Sequence, residues 1–344
     1  MRRLALFLAV VVALLGAAAA FDWWIDPFGD IYKPGALTVA LQQHPNCLVS
    51  QELVGARYFS FKLDVFHRRP TTRFVVGSSR VLKIQAHPGE RTFSNLGFPG
   101  SAPETILALF RALPAKPVQT VYLGVDPFWF NSHYSVPVYR PSAYDIAQYL
   151  SSRATFEYAV RYVRQGHFIL THRWRESEVG QSCVVGRLYP SIAWKVDGSR
   201  VWSWELDPKT FPGFQAPPYS TDLTTYRNGY YDQWTRLDTG RVHILEQVLA
   251  LARQRGWRVV GFAPPEPPGY FRLLRADPQL AARWREFLQT MPALFAREGF
   301  AWAGLWNGRA DGCSASDFPD GFHTDAACSD RVRALLDAAA AATP

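Results

Sequence analysis

The chain alternates short apolar runs with longer segments whose apolar residues recur at helical spacing. Runs of about four to eight apolar residues bounded by turn residues are typical of buried strands. Five segments fit this pattern and predict strands at residues 72–77, 92–97, 118–125, 258–263 and 300–306.

Amphipathic helices are predicted between and after these strands, at residues 103–113, 241–255, 278–298 and 331–342. Regular alternation of strands and helices predicts a parallel sheet with helices on both faces. We therefore expect a flavodoxin-like, three-layer α/β/α fold with a central parallel sheet of about five strands.

The alternation stops at about residues 128–239, which hold one predicted helix, 143–163, and then a run rich in Trp, Tyr, Pro and Gly. We interpret this stretch as an aromatic-rich insertion over the carboxyl edge of the sheet, where open α/β sheets bind ligands. The expected organisation is an N-terminal segment 1–21, an extension 22–70 packed on the main domain, and that domain at 71–344.

The first 21 residues have the pattern of an export signal or a membrane anchor. Two arginines precede 18 uncharged residues, 4–21, a length between a signal core and a full membrane span. Ala18-Ala19-Ala20 satisfies the small-residue rule for cleavage, whereas Trp23 and Trp24 fit the aromatic belt of a retained anchor. Both interpretations send the rest of the chain across a membrane, and a buried soluble helix is the third.

The composition limits which classes of partner and cofactor the chain is expected to bind. Hydrophobic residues make up 48% of the chain, enough for a packed core. The net charge of +8 suits an anionic surface but equally a solubilising role. No basic helix, RNA-binding motif or zinc-finger spacing indicates a nucleic-acid partner. The eight histidines show no metal-ligand spacing, so we expect no metal. The sequence also lacks a GxGxxG turn, so we expect no nucleotide cofactor.

The chain has four cysteines, an even number that predicts two disulfides in an exported protein. Cys313 and Cys328 bracket a short polar loop and form the first expected pair, and Cys47 with Cys183 follows by elimination. Four buried free thiols are the alternative.

Polar residues follow three of the predicted strands. Ser78 and Ser79 follow the first strand, Asn95 begins a Gly-containing turn after the second, and Asp320 precedes His323 by three residues after the last. The carboxyl ends of parallel strands share one edge of a sheet, so these residues can meet there. Serine, histidine and aspartate in that arrangement form a nucleophile, a base and an orienting carboxylate. Each motif alone also fits an ordinary cap or turn.

The joint order of these motifs resembles the SGNH (GDSL-like) hydrolase superfamily. The Gly-Asp-Ser block of that family corresponds to Gly77-Ser78-Ser79, and its C-terminal Asp-x-x-His block corresponds to Asp320 and His323. The resemblance implies that Ser79 is the nucleophile, His323 the base and Asp320 the residue that orients the base.

The same resemblance implies an oxyanion hole made by the backbone amides of Ser79 and Gly100, with Ser78 and Arg80 lining the site. The third block of the family, Gly-x-Asn-Asp, is where this chain departs, because Asp126 stands where the oxyanion-binding Asn is expected. An ionised Asp cannot donate a hydrogen bond. Asn95 and Asn131 are candidate substitutes, and the alternative is a hole built from the two amides alone.

An apolar segment followed by Asp26-Pro27-Phe28-Gly29 and the serine block is similar to a bacterial envelope branch of this superfamily. Members of that branch O-acetylate alginate and other exopolysaccharides. The resemblance implies an O-acetyltransferase or acetylesterase that acts on a polysaccharide or other glycan without a cofactor. It also implies a place on the periplasmic side of the inner membrane, beside a membrane acyltransferase partner, or free in the periplasm if residues 4–21 are cleaved.

Hydrolysis and transfer share one acyl-enzyme, so the catalytic residues do not separate them. The alternative function is a non-catalytic SGNH-fold envelope protein that binds glycan or assembles a polysaccharide-modification complex. The departure at Asp126 favours this alternative.

Overall fold

The computed structural model describes residues 2–26, 36–50, 53, 56–135, 138–140, 146–164, 175–179, 182–186, 192–202 and 229–342. The chain forms two compact units. Unit 1 comprises residues 1–54, 142–196 and 201–212, and unit 2 comprises residues 55–141, 197–200 and 213–344.

The described helices are α1 (Arg2–Ile25), α2 (Ala36–Gln43), α3 (Ala56–Arg68), α4 (Pro103–Ala112), α5 (Ile146–Leu150), α6 (Arg153–Arg164), α7 (Thr239–Gln254), α8 (Tyr270–Ala276), α9 (Pro278–Arg297) and α10 (Ala326–Ala342). The described strands are β1 (Leu48–Ser50), β2 (Arg73–Val76), β3 (Phe93–Asn95), β4 (Thr120–Gly124), β5 (Arg175–Val179), β6 (Ser182–Gly186), β7 (Ile192–Trp194), β8 (Arg200–Trp202), β9 (Arg258–Phe262) and β10 (Ala301–Ala303).

Unit 2 is built on a five-stranded sheet in the order β10-β9-β4-β2-β3, and every pair of neighbours is parallel. Helices flank the sheet, which confirms the predicted flavodoxin-like, three-layer α/β class. All five residues of β4 are buried, as expected for a central strand covered on both faces.

Side chains alternate between the two faces of this sheet, because successive residues of a strand point to opposite sides. Val75 and Tyr122 belong to one apolar cluster with Leu336 of α10. Phe74 points the other way and packs edge-on against three aromatic rings, those of Phe66, Phe110 and Trp257. The core therefore has two layers, one under α10 and one that includes α3 and α4.

Three predicted elements differ most from the structure in their bounds. The helix predicted at 143–163 is two helices, α5 and α6, because the Ser152 side chain accepts a hydrogen bond from the amide of Thr155 and starts a new helix. Residues 143–145 lie outside the described residues. The strand predicted at 300–306 is paired only along β10, because a turn follows it at Leu305. The last helix begins at Ala326 instead of 331, since Asp325 caps it through the amide of Cys328.

Unit 1 contains a second sheet, in the order β5-β6-β1-β7-β8. Strand β1, from the predicted extension, pairs in parallel with β6 and antiparallel with β7, both from the predicted insertion. These two distant parts of the chain thus build one sheet. Leu48 lies opposite Val184, so the residues before them, Cys47 and Cys183, face each other and form a disulfide with a Cα–Cα distance of 4.6 Å.

All four cysteines are in disulfides, and the second joins Cys313 to Cys328 in unit 2. Two disulfides are typical of a protein outside the reducing cytoplasm. Helix α1 is consistent with that location, because it is long and apolar enough to cross a membrane, with a mean hydropathy of 2.7 over 18 residues. An apolar N-terminal helix of this kind serves as a signal or as an anchor.

Candidate active site

The turn after β2 presents the candidate nucleophile. Ser78 caps a short 3₁₀ helix, Ser79–Val81, by accepting a hydrogen bond from the amide of Arg80 at 3.2 Å. The buried side chain of Asn95 holds the turn in this shape, because its amide donates to the carbonyls of Val81 and Ile84 at 2.7 and 2.8 Å.

Gly77 allows this turn to approach the neighbouring strand closely. A Cβ at this position would lie 2.9 Å from the carbonyl oxygen of Gly124 at the end of β4. The carbonyl of Gly77 also accepts a hydrogen bond from the amide of Phe98 at 2.9 Å. The carboxyl ends of β2 and β4 and the loop after β3 therefore meet at one edge of the sheet.

The structure brings Ser79, His323 and Asp320 together at this edge. The ring nitrogen Nε2 of His323 lies 2.8 Å from Oγ of Ser79, although the two residues are 244 positions apart. The other ring nitrogen, Nδ1, lies 2.5 Å from Oδ2 of Asp320. These are hydrogen-bond distances in the order of a nucleophile, a base and an orienting carboxylate.

The charge state of Asp320 fixes the direction of these hydrogen bonds. Burial favours its neutral form, but hydrogen bonds from the His323 ring and from the amides of His323 and Phe322 outweigh burial and lower the pKa of Asp320 to about 2. An ionised carboxylate only accepts hydrogen bonds, so Nδ1 of His323 carries the proton. In the neutral ring, Nε2 then accepts a hydrogen bond from the Ser79 hydroxyl.

Arg80, the residue after Ser79, joins the ends of three strands. Its guanidinium is buried and donates to Oδ1 of Asp126 at 3.0 Å and to Oε1 of Glu266 at 2.7 Å. It also donates to the carbonyls of Pro264 and Pro265 at 3.1 and 2.6 Å. Because Asp126 follows β4 and Pro264 to Glu266 follow β9, this single side chain fastens both to the turn after β2.

The same guanidinium lies over the ring of Phe322, 4.9 Å from its centre. Phe322 directly precedes His323 in the chain. Arg80 therefore contacts the segments on both sides of the Ser79–His323 pair. Glu266 is a site residue that the sequence does not predict. The available signal is a lone carboxylate among four prolines directly after a buried strand, Pro264-Pro265-Glu266-Pro267-Pro268.

Asp126 is fully buried beside Arg80. Burial raises the pKa of Asp126, against the charge of Arg80 and hydrogen bonds from Ser78 and Arg80. The structure thus places Asp126 at the site, held by Arg80 of the first motif.

The two asparagines predicted as substitute donors are committed elsewhere, which corrects that expectation. Asn95 donates to Val81 and Ile84, as described above. Asn131 donates to the carbonyls of Tyr230 and Asp232 at 3.1 and 2.9 Å. Both side chains stabilise loops through backbone carbonyls. The oxyanion role of the amides of Ser79 and Gly100 stays a prediction, and Gly100 adopts a left-handed backbone conformation, with φ of 59°, in the loop after β3.

An aromatic cluster of Phe128, Tyr134, Tyr230 and Phe322 lies beside His323. The rings of Tyr230 and Phe322 are stacked at 5.1 Å, and Phe128 lies 4.9 Å from Tyr230. Burial, followed by the charge of Asp126, raises the pKa of Tyr230, so its phenol is protonated at neutral pH. The cluster combines apolar ring faces with hydroxyl groups. Residues 203–228 of the predicted insertion lie outside the described residues.

Within the described part of the chain, no group of three or more His, Cys, Asp or Glu residues is arranged to hold a metal ion. Compared with known protein families, with curated proteins and with solved structures, the chain matches none.

Proposed function

We propose that this chain is an SGNH-type serine enzyme of the cell envelope that transfers or hydrolyses O-acyl groups, as an O-acetyltransferase or an acetylesterase. The observation that carries the proposal is the continuous hydrogen-bonded series from Asp320 through His323 to Ser79. A nucleophile, a base and an orienting carboxylate in this order are the machinery of acyl transfer through a covalent serine ester.

In the proposed reaction, Oγ of Ser79 attacks the carbonyl carbon of an ester while Nε2 of His323 takes the hydroxyl proton. The bond between the carbonyl carbon and the alcohol oxygen then breaks, and His323 returns the proton to the leaving alcohol. Water or a sugar hydroxyl then attacks the acyl-serine and loses its proton to His323. The bond between the carbonyl carbon and Oγ of Ser79 breaks, and His323 returns the proton to Oγ. Ionised Asp320 stabilises the imidazolium that forms in each half of the reaction.

We assign the substrate to the glycans because of the aromatic cluster beside His323. Phe128 and Phe322 are buried, so a pyranose ring would meet the two half-buried tyrosines of the cluster, Tyr134 and Tyr230, through its hydroxyls and its apolar C–H faces. The acceptor of the acyl group in a transfer reaction would be a hydroxyl of such a ring.

We also propose that residues 4–21 are a retained anchor that holds the chain on the periplasmic side of the inner membrane. Helix α1 continues without a break through Ala18-Ala19-Ala20 to Ile25, so the predicted cleavage site lies inside a regular helix. Ile25, at the end of the same helix, is buried within unit 1.

The test is serine-directed labelling combined with ester turnover. Ser79→Ala should abolish both labelling by a fluorophosphonate and hydrolysis of p-nitrophenyl acetate. Ser78→Ala is the matched control and should retain most turnover, since Ser78 serves as a cap and a neighbour of Asp126. If the two variants exchange behaviour, the assignment of the nucleophile is wrong by one residue.

The alternative, a non-catalytic glycan-binding or assembly protein, is favoured by Asp126 in place of an oxyanion donor. It predicts that the folded wild-type chain is inert to the fluorophosphonate. It also predicts that Ser79→Ala leaves glycan binding unchanged.

A further inference from the structure

The last turn of α1 fixes the depth at which unit 1 meets a membrane. Residues 4–21 rise about 27 Å as a helix, close to the roughly 30 Å thickness of a hydrocarbon core. Phe21 therefore marks the boundary of the bilayer if α1 crosses it. Trp23 and Trp24, directly beyond, are 43% and 59% exposed.

Helix α6 is packed against this same turn. The ring of Phe156, in its first half, meets the ring of Phe21 edge-on at 5.9 Å. One turn farther from the boundary, Ala159 is buried with Ile25, and Val163 packs against the pair. Helix α6 thus runs away from the membrane boundary, and its first residues lie closest to it.

A contact between α5 and the residue just after α1 supports this placement of α6 beside the end of α1. Tyr149 of α5 donates its hydroxyl proton to Oδ1 of Asp26 at 2.7 Å, and both groups are buried. The turn after α1 is therefore fixed by a buried hydrogen bond as well as by the apolar contacts of Ile25.

The first half of α6 exposes residues of the kind found at lipid headgroups. Phe156 is 41% exposed although its ring is fully apolar. The side chain of Arg153 is 91% exposed and forms an ion pair with exposed Glu157, which contributes little to stability. A long cationic side chain beside aromatic rings is typical of the interfacial region of a bilayer.

We propose that the first half of α6 lies in the headgroup region of the membrane that α1 crosses, with Phe156, Trp23 and Trp24 inserted among the lipids. Arg153 would reach the phosphate level. The inference rests on the anchor included in the proposed function and extends it to a second, peripheral contact. Its occupant is the phospholipid surface of the same bilayer, and the contact would limit how unit 1 tilts about the end of α1.

The test uses the full chain reconstituted in phosphatidylcholine vesicles. An NBD fluorophore is attached at Phe156→Cys and, as a matched control on the same helix, at Arg164→Cys, which is exposed and about 12 Å farther along. We expect a headgroup-region doxyl lipid to quench NBD at position 156 at least about twofold more than at position 164. Both variants should keep the wild-type unfolding midpoint and both native disulfides.

Two results would overturn the inference, and they are distinguishable. Extraction of the unlabelled chain from vesicles by alkaline carbonate would refute the anchor and, with it, the membrane contact of α6. A chain that resists extraction but shows equal quenching at the two positions would refute only the placement of α6. That outcome would leave a protein partner as the occupant of the exposed Phe156 surface.

Discussion

Arg80 and Asp126 together account for the departure of this site from the pattern that it resembles. Where that pattern has Asp in the first block and Asn in the third, this chain has Ser78 and Asp126. Burial raises the pKa of Asp126, and Ser78 is among the groups that lower it, so the side chains at the two positions interact. On the proposed assignment, the acidic residue stands in the third block, as Asp126, and the neutral residue in the first, as Ser78. Arg80 forms an ion pair with Asp126 and so neutralises it there.

This exchange predicts non-additive substitutions. Ser78→Asp alone would add a carboxylate to a buried cluster in which Arg80 already faces Asp126 and Glu266, and should destabilise unit 2 by about 3 kcal/mol. Adding Asp126→Asn should recover most of this loss, with a coupling of roughly 1–3 kcal/mol in a double-mutant cycle from urea unfolding. Additive effects in that cycle would contradict the paired exchange.

The carboxylate of Asp320 predicts a pH-dependent contribution to stability. Its pKa is about 2 in the folded protein against 3.8 in the unfolded chain, so the ionised form stabilises the fold above about pH 4, and this is lost as the pH falls through 2. Asp320→Asn should therefore lower the free energy of unfolding by about 2 kcal/mol at pH 7 and by little near pH 2. Urea unfolding across this range checks it, and a difference that is constant with pH would contradict it.

The sequence identifies Ser79, His323 and Asp320 but not the residues that hold them in place. Ser79, Asp320 and His323 are predictable because each directly follows a strand or lies in a short motif. Glu266 is not predictable as a site residue, since its partner Arg80 is 186 positions away and nothing in the local sequence indicates the pairing. Asn95 was predicted as an oxyanion donor because an isolated sequence does not reveal which carbonyls its amide will meet.

At the scale of elements, one disulfide restrains the loop that carries His323, the proposed base. Cys313–Cys328 closes a loop across a separation of 15 residues, and Asp320 and His323 lie inside it. Closure of such a loop contributes about 3 kcal/mol in the chain-entropy model. The link from Cys313 to the first turn of α10 holds both ends of the loop against the core.

Replacing this disulfide should lower stability and turnover together. The double variant Cys313→Ser/Cys328→Ser is expected to lose about 3 kcal/mol and to show a lower kcat, since the base becomes less well positioned. The matched control is Cys47→Ser/Cys183→Ser, which removes a disulfide of unit 1 and should leave ester turnover near wild type. Equal losses of kcat in the two variants would argue against a local role.

The strands of unit 2 are predictable because their apolar runs are continuous, as in β4 and β9. The sheet of unit 1 is not, because it includes strands without a continuous apolar run, such as β5, whose sequence, RESEV, is mostly polar. Such strands depend on partners elsewhere in the chain, and β1 finds them more than 130 residues later. Local pattern carries little information about pairings of that kind.

At the scale of the whole molecule, the end of α1 belongs to unit 1 as well as to the apolar N-terminal segment. A chain that begins at Phe21 keeps Ile25 in its cluster with Ala159 and Val163, whereas a chain that begins at Pro27 loses it. Burial of one such aliphatic side chain contributes about 1.5–3 kcal/mol. The shorter chain should therefore unfold at a lower temperature in unit 1, with ester turnover by unit 2 unchanged. Equal midpoints in differential scanning calorimetry would contradict this.

The separation of 244 positions between Ser79 and His323 also determines when the site can be complete during synthesis of the chain. Synthesis proceeds from the N-terminus at roughly 5–20 residues per second, so the ribosome adds His323 about 12 to 50 s after Ser79. During that interval the serine has no base, and on the proposed mechanism it cannot attack an ester. On the same proposal, acyl chemistry would begin only when the final loop and α10 have emerged and folded, so a chain that is still being synthesised or exported would not react with esters.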